Sequence, residues 1–470
     1  MASSPGSPTA PGRILLISCY ELGRPPLGIA APAALLARHG FRPALLDLSQ
    51  CALDHEAVQA AWLIGISVPM HTALVLGVEA ARRIRALNPA AQICFFGSYA
   101  ELNRAHLTEH VADAVLGPEP GAALLRLAQA LDGRAPVRAP HGGDAWRAPE
   151  PLARPEFAVP TREGLPELAR YARLAVGGQE RLSGAVEATR GCKYLCRHCP
   201  LPPVYDGRFF AVPLEIVLQD VAALVAAGAT HISFADPDFL NGPTHALRVT
   251  RALHRRHPRL TFDFTTRIAH LIAHRALLPE LVESGALFAI SAAESLNDDV
   301  LLALDKGHTA ADVQRALALT REAGLTLRPT FVPFTPWETL DSYLALLDFL
   351  AREDLLGQVD AVQLTIRLLV PPGSALLGTP AFEPWRGALQ AESFTWHWRH
   401  PDPRMDELQA QLAQLVAAAA EAGETDQATF VRIREAAYAA AGRPAPALHL
   451  PLAGADPVLA PPRLTEAWFC

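Results

Sequence analysis

The sequence predicts an α/β protein built from two successive series of parallel strands and helices. The first is an open, doubly wound sheet, the second a partial barrel of six strands, and a helical C-terminal region follows. Three observations carry this reading. Short apolar β-rich runs alternate with helical stretches of about 10–15 residues over 13–135 and again over 181–372. Residues 136–180, rich in Pro, Arg and Gly with weak periodicity, separate the two series as a linker. Half of the 470 residues are hydrophobic against 19% charged, ample material for packed cores.

Each element follows from its local pattern. Residues 1–12 are rich in Ser, Pro, Ala and Gly, lack the basic and apolar regions of a signal peptide, and read as a disordered leader. The run 13–18 suits a strand buried on both faces. A loop with Pro25, Pro26 and Gly28 leads into a helix through Leu36 that stops at Gly40, a natural residue just past a helix end. Strands follow at 44–48 and 62–68, a helix over 72–87 ends before Pro89, and strands at 92–96 and 114–116 precede a helix to Leu131. In the second series the strands are predicted at 184–189, 230–235, 260–265, 287–292, 326–332 and 361–367. Helices near 214–227, 243–256, 274–284, 309–323 and 338–353 lie between them, and ligands of such a barrel bind at the C-terminal strand ends. Within 373–470 a patch of Phe394, Trp396, His397, Trp398 and His400 precedes helices near 404–421 and 427–441 and a Pro-rich tail.

Composition excludes several functions. With 41 basic and 48 acidic residues the formal charge is −7, which argues against a nucleic-acid partner. No uncharged run of about 18 apolar residues is present, so no membrane span is expected, and the expected compartment is the cytoplasm.

The seven cysteines are unevenly placed: Cys19, Cys51, Cys94 and Cys470 are scattered, and the first three read as small core residues. Cys192, Cys196 and Cys199 form a C-x3-C-x2-C run just after the first barrel strand. Clustered thiols in a reducing compartment point to metal. Three thiolates on one loop can hold three corners of a cubane iron–sulfur cluster and leave one iron open for chemistry. A structural zinc needs a fourth ligand; His198 is the nearest candidate, and no second cysteine pair exists.

The segment Gly191-Cys-Lys-Tyr-Leu-Cys-Arg-His-Cys-Pro200 and its placement resemble the radical S-adenosylmethionine (SAM) superfamily. The resemblance implies that Cys192, Cys196 and Cys199 hold a [4Fe-4S] cluster whose open iron takes the amino and carboxylate groups of SAM. It puts His198 near the adenine, Asp236 and then Asp238 near the SAM amino group, Glu294 at the ribose hydroxyls and Arg328 at the adenine and carboxylate edge. On the residues alone, Asp236 is also a turn starter and Glu294 a helix-start carboxylate. Val370-Pro-Pro-Gly-Ser374 resembles a turn of the same family.

The first, Rossmann-like unit resembles the cobalamin-binding class of that superfamily through Pro25-Pro-Leu-Gly-Ile29, the 64–68 strand with Thr72 beyond it, and Gly97-Ser98. The lower-ligand motif Asp-x-His-x-x-Gly is absent, and Gly117-Pro-Glu-Pro120 stands where a Gly-Glu-Gly-Glu turn is usual. Bound cobalamin and a degenerate scaffold both stay open. The ending Leu464-Thr-Glu-Ala-Trp-Phe-Cys470 resembles the radical SAM group named for a Cys-Cys or Cys-selenocysteine tail followed by Ala-Glu-Pro, which implies a selenocysteine codon after Cys470; a disordered tail with an incidental cysteine is the alternative. The activity implied is reductive SAM cleavage, with cobalamin-linked methyl transfer or radical modification of a small-molecule or peptide substrate. A flavodoxin or ferredoxin is the implied electron donor. Cobalamin-independent chemistry and a non-catalytic iron–sulfur or zinc sensor are the alternatives.

Overall fold

The computed structural model describes residues 13–133, 152, 154–448 and 460–466. The predicted leader, most of 136–153 and Cys470 lie outside the described residues.

The first sheet contains β1 (Ile14–Ser18), β2 (Ala44–Asp47), β3 (Leu63–Ser67), β4 (Gln92–Phe96) and β5 (Ala114–Val115), all parallel, in the order β2-β1-β3-β4-β5. Alternate residues of β1 feed two cores, as a doubly covered strand must. Leu15 and Ile17 pack with Leu74, Val78 and Ile84 of helix His71–Leu87. Ile14 and Leu16 pack with Ile29 and Leu36 of helix Leu27–Arg38 and with Leu124 and Leu127 of helix Gly121–Leu131. The order reverses between β1 and β3, so a crevice opens at their C-terminal ends. Cys19 and Cys94 are core residues as expected, whereas Cys51 is exposed, because it sits in the turn after β2.

The second sheet contains β6 (Arg173–Val176) and β7 (Gln179–Val186). A short hairpin, β8 (Thr189–Gly191) with β9 (Phe209–Ala211), leaves it. The sheet resumes with β10 (His231–Phe234), β11 (Thr261–Thr265), β12 (Ala286–Glu294) and β13 (Thr326–Phe331). A second hairpin follows, β14 (Arg386–Gln390) with β15 (Thr395–Trp398), and the last strand is β16 (Arg463–Leu464). The order is β13-β12-β11-β10-β7-β6-β16, with the five strands from β13 to β7 parallel and β6 and β16 antiparallel at the edge. The helices Leu214–Ala226, Pro243–Arg256, Ala310–Glu322 and Leu340–Arg352 share one apolar core with the strands.

Two expectations are corrected. Part of the predicted linker, Arg173–Val176, is strand β6. The sixth barrel strand, predicted at 361–367, is a 3₁₀ turn over Ala361–Thr365 with a single parallel bridge from Phe334 to Arg367. Side chains replace the ladder there: the Tyr343 hydroxyl donates to the Leu364 carbonyl at 2.8 Å, and Gln409 Nε2 to the Thr365 carbonyl at 3.1 Å. The aromatic patch divides between cores, Trp398 packing with Val300, Leu368 and Phe382 and Phe394 packing in the first unit. Among the described residues no helix is long and apolar enough to cross a membrane.

Candidate functional site

The β8–β9 hairpin aims the cysteine run. Gly191 has φ +74°, and a Cβ there would lie 2.5 Å from the Arg208 carbonyl and 2.6 Å from the Tyr205 ring, so the turn requires glycine. The following loop is pinned from outside. The Arg197 amide donates to the Leu304 carbonyl (2.9 Å), the Ser374 hydroxyl donates to the Arg197 carbonyl (3.2 Å), and Lys193 Nζ donates to the Asn241 carbonyl (3.0 Å).

Cys196 is buried, and Arg267 Nη1 donates to its Sγ at 2.7 Å while the guanidinium lies 3.9 Å from the centre of the Tyr194 ring. Burial pushes the Cys192 thiol up, and pushes the Cys199 thiol up to about 12 with the Cys196 and Cys192 sulfurs adding to the effect. Cys192 and Cys199 therefore favour the neutral thiol unless cationic charge is placed beside them. Among the described residues no set of three His, Cys, Asp or Glu side chains converges closely enough for a single metal ion. A cubane asks for a wider spacing, since each thiolate binds a different iron. Three thiols on one loop, Cys192, Cys196 and Cys199, are a donor set that fits a [4Fe-4S] cluster, one thiolate to an iron.

Glu294 ends β12 at a register shift, with φ +66°, a left-handed conformation uncommon for a non-glycine residue. Its Oε1 lies 3.0 Å from His198 Nε2 and 3.1 Å from Lys306 Nζ. Burial opposes ionisation, yet Lys306 and His198 outweigh it and hold the carboxyl well below the usual range. Asp238 is fully buried; Thr266 Oγ1 donates to it at 2.8 Å and His270 Nδ1 lies 2.9 Å away, while His270 Nε2 meets the Tyr194 hydroxyl at 2.7 Å. That relay ties the top of β10 to the cysteine loop.

Asp236 stands at the base of the hairpin. The Ala188 amide donates to one of its oxygens (2.8 Å) and the Thr189 hydroxyl to the other (2.6 Å), and burial pushes its carboxyl up to about 7. Unfolded, this carboxyl ionises near 3.9. The folded protein thus retains a proton that the unfolded chain releases, and stability falls as pH rises between those values. An Asp236→Asn variant is expected to lack that slope, so wild-type Tm should drop relative to the variant between pH 5 and pH 7; parallel curves would refute the assignment. Arg328 lies mid-strand in β13, donating to the Gly357 carbonyl at 3.1 Å and lying 3.5 Å from Asp360. It lines a separate chamber, away from the cysteine loop.

The structure thus brings Cys192, Cys196, Cys199, His198, Glu294 and Asp238 together, with Asp236 beneath them and Arg328 apart. Sequence reasoning missed Arg267, His270 and Lys306. One signal was available: the chain has only two lysines among its 41 basic residues, Lys193 and Lys306, and both serve this site.

Between the two units lies a cleft of about 280 Å³ at the crevice of the first sheet. Its walls include Glu21, Gly28, Ser67, Met70 and Gly97 from the first unit and Glu187, Arg190 and Pro237 from the second. The Gly28 amide donates to Glu21 Oε1 at 3.0 Å, and burial pushes that carboxyl up to about 8. A Cβ at Gly28 would stand 2.3 Å from Ser67 Oγ, and one at Gly97 3.0 Å from the Val68 carbonyl. Arg190, two residues before Cys192, spans the cleft: it pairs with Glu119 at 3.0 Å and Glu187 at 2.7 Å, and the Tyr205 hydroxyl donates to Glu119 at 2.8 Å.

Comparison with known proteins agrees with this geometry. Residues 186–350 match the family model described as the radical SAM superfamily. A solved structure of the radical SAM methyltransferase TsrM from Kitasatospora setae, with tryptophan substrate and a SAM analogue bound, is 19% identical; it aligns over 73% of this chain and 71% of its own with a TM-score of 0.56. A structure of the cobalamin-dependent SAM radical enzyme OxsB, with aqua-cobalamin and SAM bound, is 15% identical over 86% of this chain and 66% of its own, with a TM-score of 0.66. At these identities the likeness is one of fold.

Proposed function

We propose that this chain, whose residues 186–350 form a radical SAM domain, is an enzyme that cleaves SAM reductively and uses a cobalamin held by its first unit to transfer a methyl group, or otherwise modify by radical chemistry, a small-molecule or peptide substrate. The observation that carries the reading is the position of Arg190. It sits on the hairpin that presents the cysteines and is locked to Glu119 of the first unit, so the residues flanking the cysteine loop, Arg190, Gly191 and Leu201, line one cleft with the crevice of the first sheet. The cluster, when bound, supplies the electron that breaks the sulfonium carbon–sulfur bond of SAM, and cobalamin, when bound, supplies a transferable methyl group.

The chain's own residues orient and shield this chemistry. Arg267 donates to the Cys196 sulfur and lowers the energy of the negatively charged ligand set, while the Tyr194–His270–Asp238 relay fixes the loop. Glu294, held ionised by Lys306, is an acceptor for ribose hydroxyls, and His198 beside it is a planar partner for the adenine. Asp236 acts one step back, by fixing Ala188 and Thr189 at the root of the hairpin. A corrinoid would lie against this cleft on backbone and apolar contacts: Gly28 and Gly97 pack so closely on Ser67 and the Val68 carbonyl that a Cβ at either would displace the wall, and no histidine is among the described lining residues. A flavodoxin or ferredoxin is the class of electron donor such an enzyme requires.

A cobalamin-independent radical SAM enzyme is the second reading, favoured by Pro118 and Pro120 on the cleft wall, where two backbone donors are lost. Corrinoid binding separates the two. Protein incubated anaerobically with hydroxocobalamin and desalted should retain corrinoid in near-stoichiometric amount. Gly28→Ala should reduce retention at least tenfold while iron and sulfide content stay unchanged. No retention by the wild-type protein would leave the cobalamin-independent reading, and absence of SAM cleavage under reductant would reduce the chain to a sensor or scaffold.

A further inference from the structure

Asn241 reaches the cysteine run from outside both the loop and the Tyr194–His270–Asp238 relay. It closes the 3₁₀ turn Phe239–Asn241, whose Phe239 and Leu240 are buried in the barrel core. Its backbone is held on both sides: the amide donates to the Asp238 carbonyl at 3.1 Å, and the carbonyl accepts from Lys193 Nζ at 3.0 Å. Lys193 follows Cys192 in the chain, so the same contact draws Cys192 onto the turn. The residue is only 3% exposed, and the Cys192 thiol donates to its Oδ1 at 3.8 Å.

The other end of this amide has no work in the thiol form. Asn241 Nδ2 is buried with no hydrogen-bond partner among the described residues. An Asn amide carries an acceptor at one end and donors at the other, and a half-turn about χ2 exchanges them. Beside a neutral thiol the acceptor end faces the sulfur, as found here. Cys192 gives up its proton when it binds iron, and an acceptor oxygen facing a thiolate is repelled, whereas an N–H donor is attracted. The other two sulfurs already face N–H donors, Arg267 Nη1 on Cys196 at 2.7 Å and the Leu201 amide on Cys199.

We propose that Asn241 tunes the cluster: its carboxamide turns over when Cys192 binds iron and donates Nδ2–H to the Cys192 sulfur. The inference rests on the proposed [4Fe-4S] cluster. The reduced cluster carries one more negative charge than the oxidised one, so a hydrogen bond to a ligand sulfur favours the reduced form and raises the reduction potential. Asn241 thereby eases the transfer of the electron that SAM cleavage needs, without itself being a ligand.

The test is a redox titration of the anaerobically reconstituted full chain, without SAM, read by electron paramagnetic resonance. Asn241→Leu, close in volume and lacking a donor, should lower the midpoint potential by about 59 mV, a tenfold change in the equilibrium constant of a one-electron couple, with iron and sulfide content unchanged. Should that variant fail to load, Asn241→Asp keeps the shape and, titrated at pH 8, places a carboxylate beside the sulfur; its potential should fall at least as far. A merely structural role would reduce cluster content and leave the potential of the remaining cluster in place. A wild-type or higher potential in the variant that loads, or loss of the cluster from both, would overturn the inference and leave the cluster assignment standing. A wild-type chain that takes up no iron and sulfide would defeat the cluster reading itself, and the inference with it.

Discussion

Cys196→Ala protein, reconstituted with iron and sulfide under anaerobic conditions, is expected to form no 5′-deoxyadenosine from SAM. Its iron and sulfide content should fall several-fold. Removal of the most buried of the three thiols leaves a cubane with two protein ligands and two exposed irons, and strips Arg267 of the sulfur it donates to. Arg267→Met keeps all three thiols and should give a graded result, a loss of about 10–100-fold in cluster affinity, the usual effect of removing a partner one shell beyond the metal ligands. SAM cleavage by the Cys196→Ala protein at the wild-type rate would break the cluster assignment. An Arg267→Met protein indistinguishable from wild type would show that the 2.7 Å contact does not tune the cluster.

The second large effect is expected at Lys306. Lys306→Met leaves the Glu294 carboxylate buried beside His198 with its strongest cationic partner gone. Breaking a buried pair by removing one partner costs about 3–5 kcal/mol. The sign with pH follows from the direction of the Glu294 shift. Its carboxyl is held below the ordinary value in the folded protein, so it contributes stability above roughly pH 4.3 that is lost as the solution is acidified. Without Lys306, burial raises the carboxyl and the dependence reverses, the variant becoming less stable as pH rises from about 4. The double variant Lys306→Met/Glu294→Met should recover most of the loss, because apolar replacement of both partners removes the unpaired charge. Denaturant melts of the three proteins at pH 5 and pH 8 measure this, and a single-variant loss below about 1 kcal/mol would refute it.

The parts of the fold legible in the sequence are those in which burial dictates composition. Strands β1, β3 and β4 are covered on both faces and read as continuous apolar runs, so their positions follow within a residue or two. Strand β6 was hidden because only Leu174 of its four residues is buried and it pairs with the exposed stretch Gln179–Arg181, so no apolar run marks it. The run at 361–367 reads as a strand because Val362, Leu364 and Ile366 alternate, but Tyr343 and Gln409, distant in sequence, take up its carbonyls. The cysteine spacing was legible for a chemical reason, since three thiols in eight residues have few uses. Arg267, His270 and Lys306 were not: each acts through a contact made across 12 to 76 residues of chain, which no local pattern records.

The central claim is a cubane held by Cys192, Cys196 and Cys199 with one iron corner open to SAM, and electron paramagnetic resonance of the dithionite-reduced, anaerobically reconstituted protein tests it most directly. The account predicts the signal of a reduced [4Fe-4S] cluster that shifts when SAM is added, with the shift lost in Cys196→Ala. Zinc in place of iron and sulfide, or a cluster signal indifferent to SAM, would contradict it.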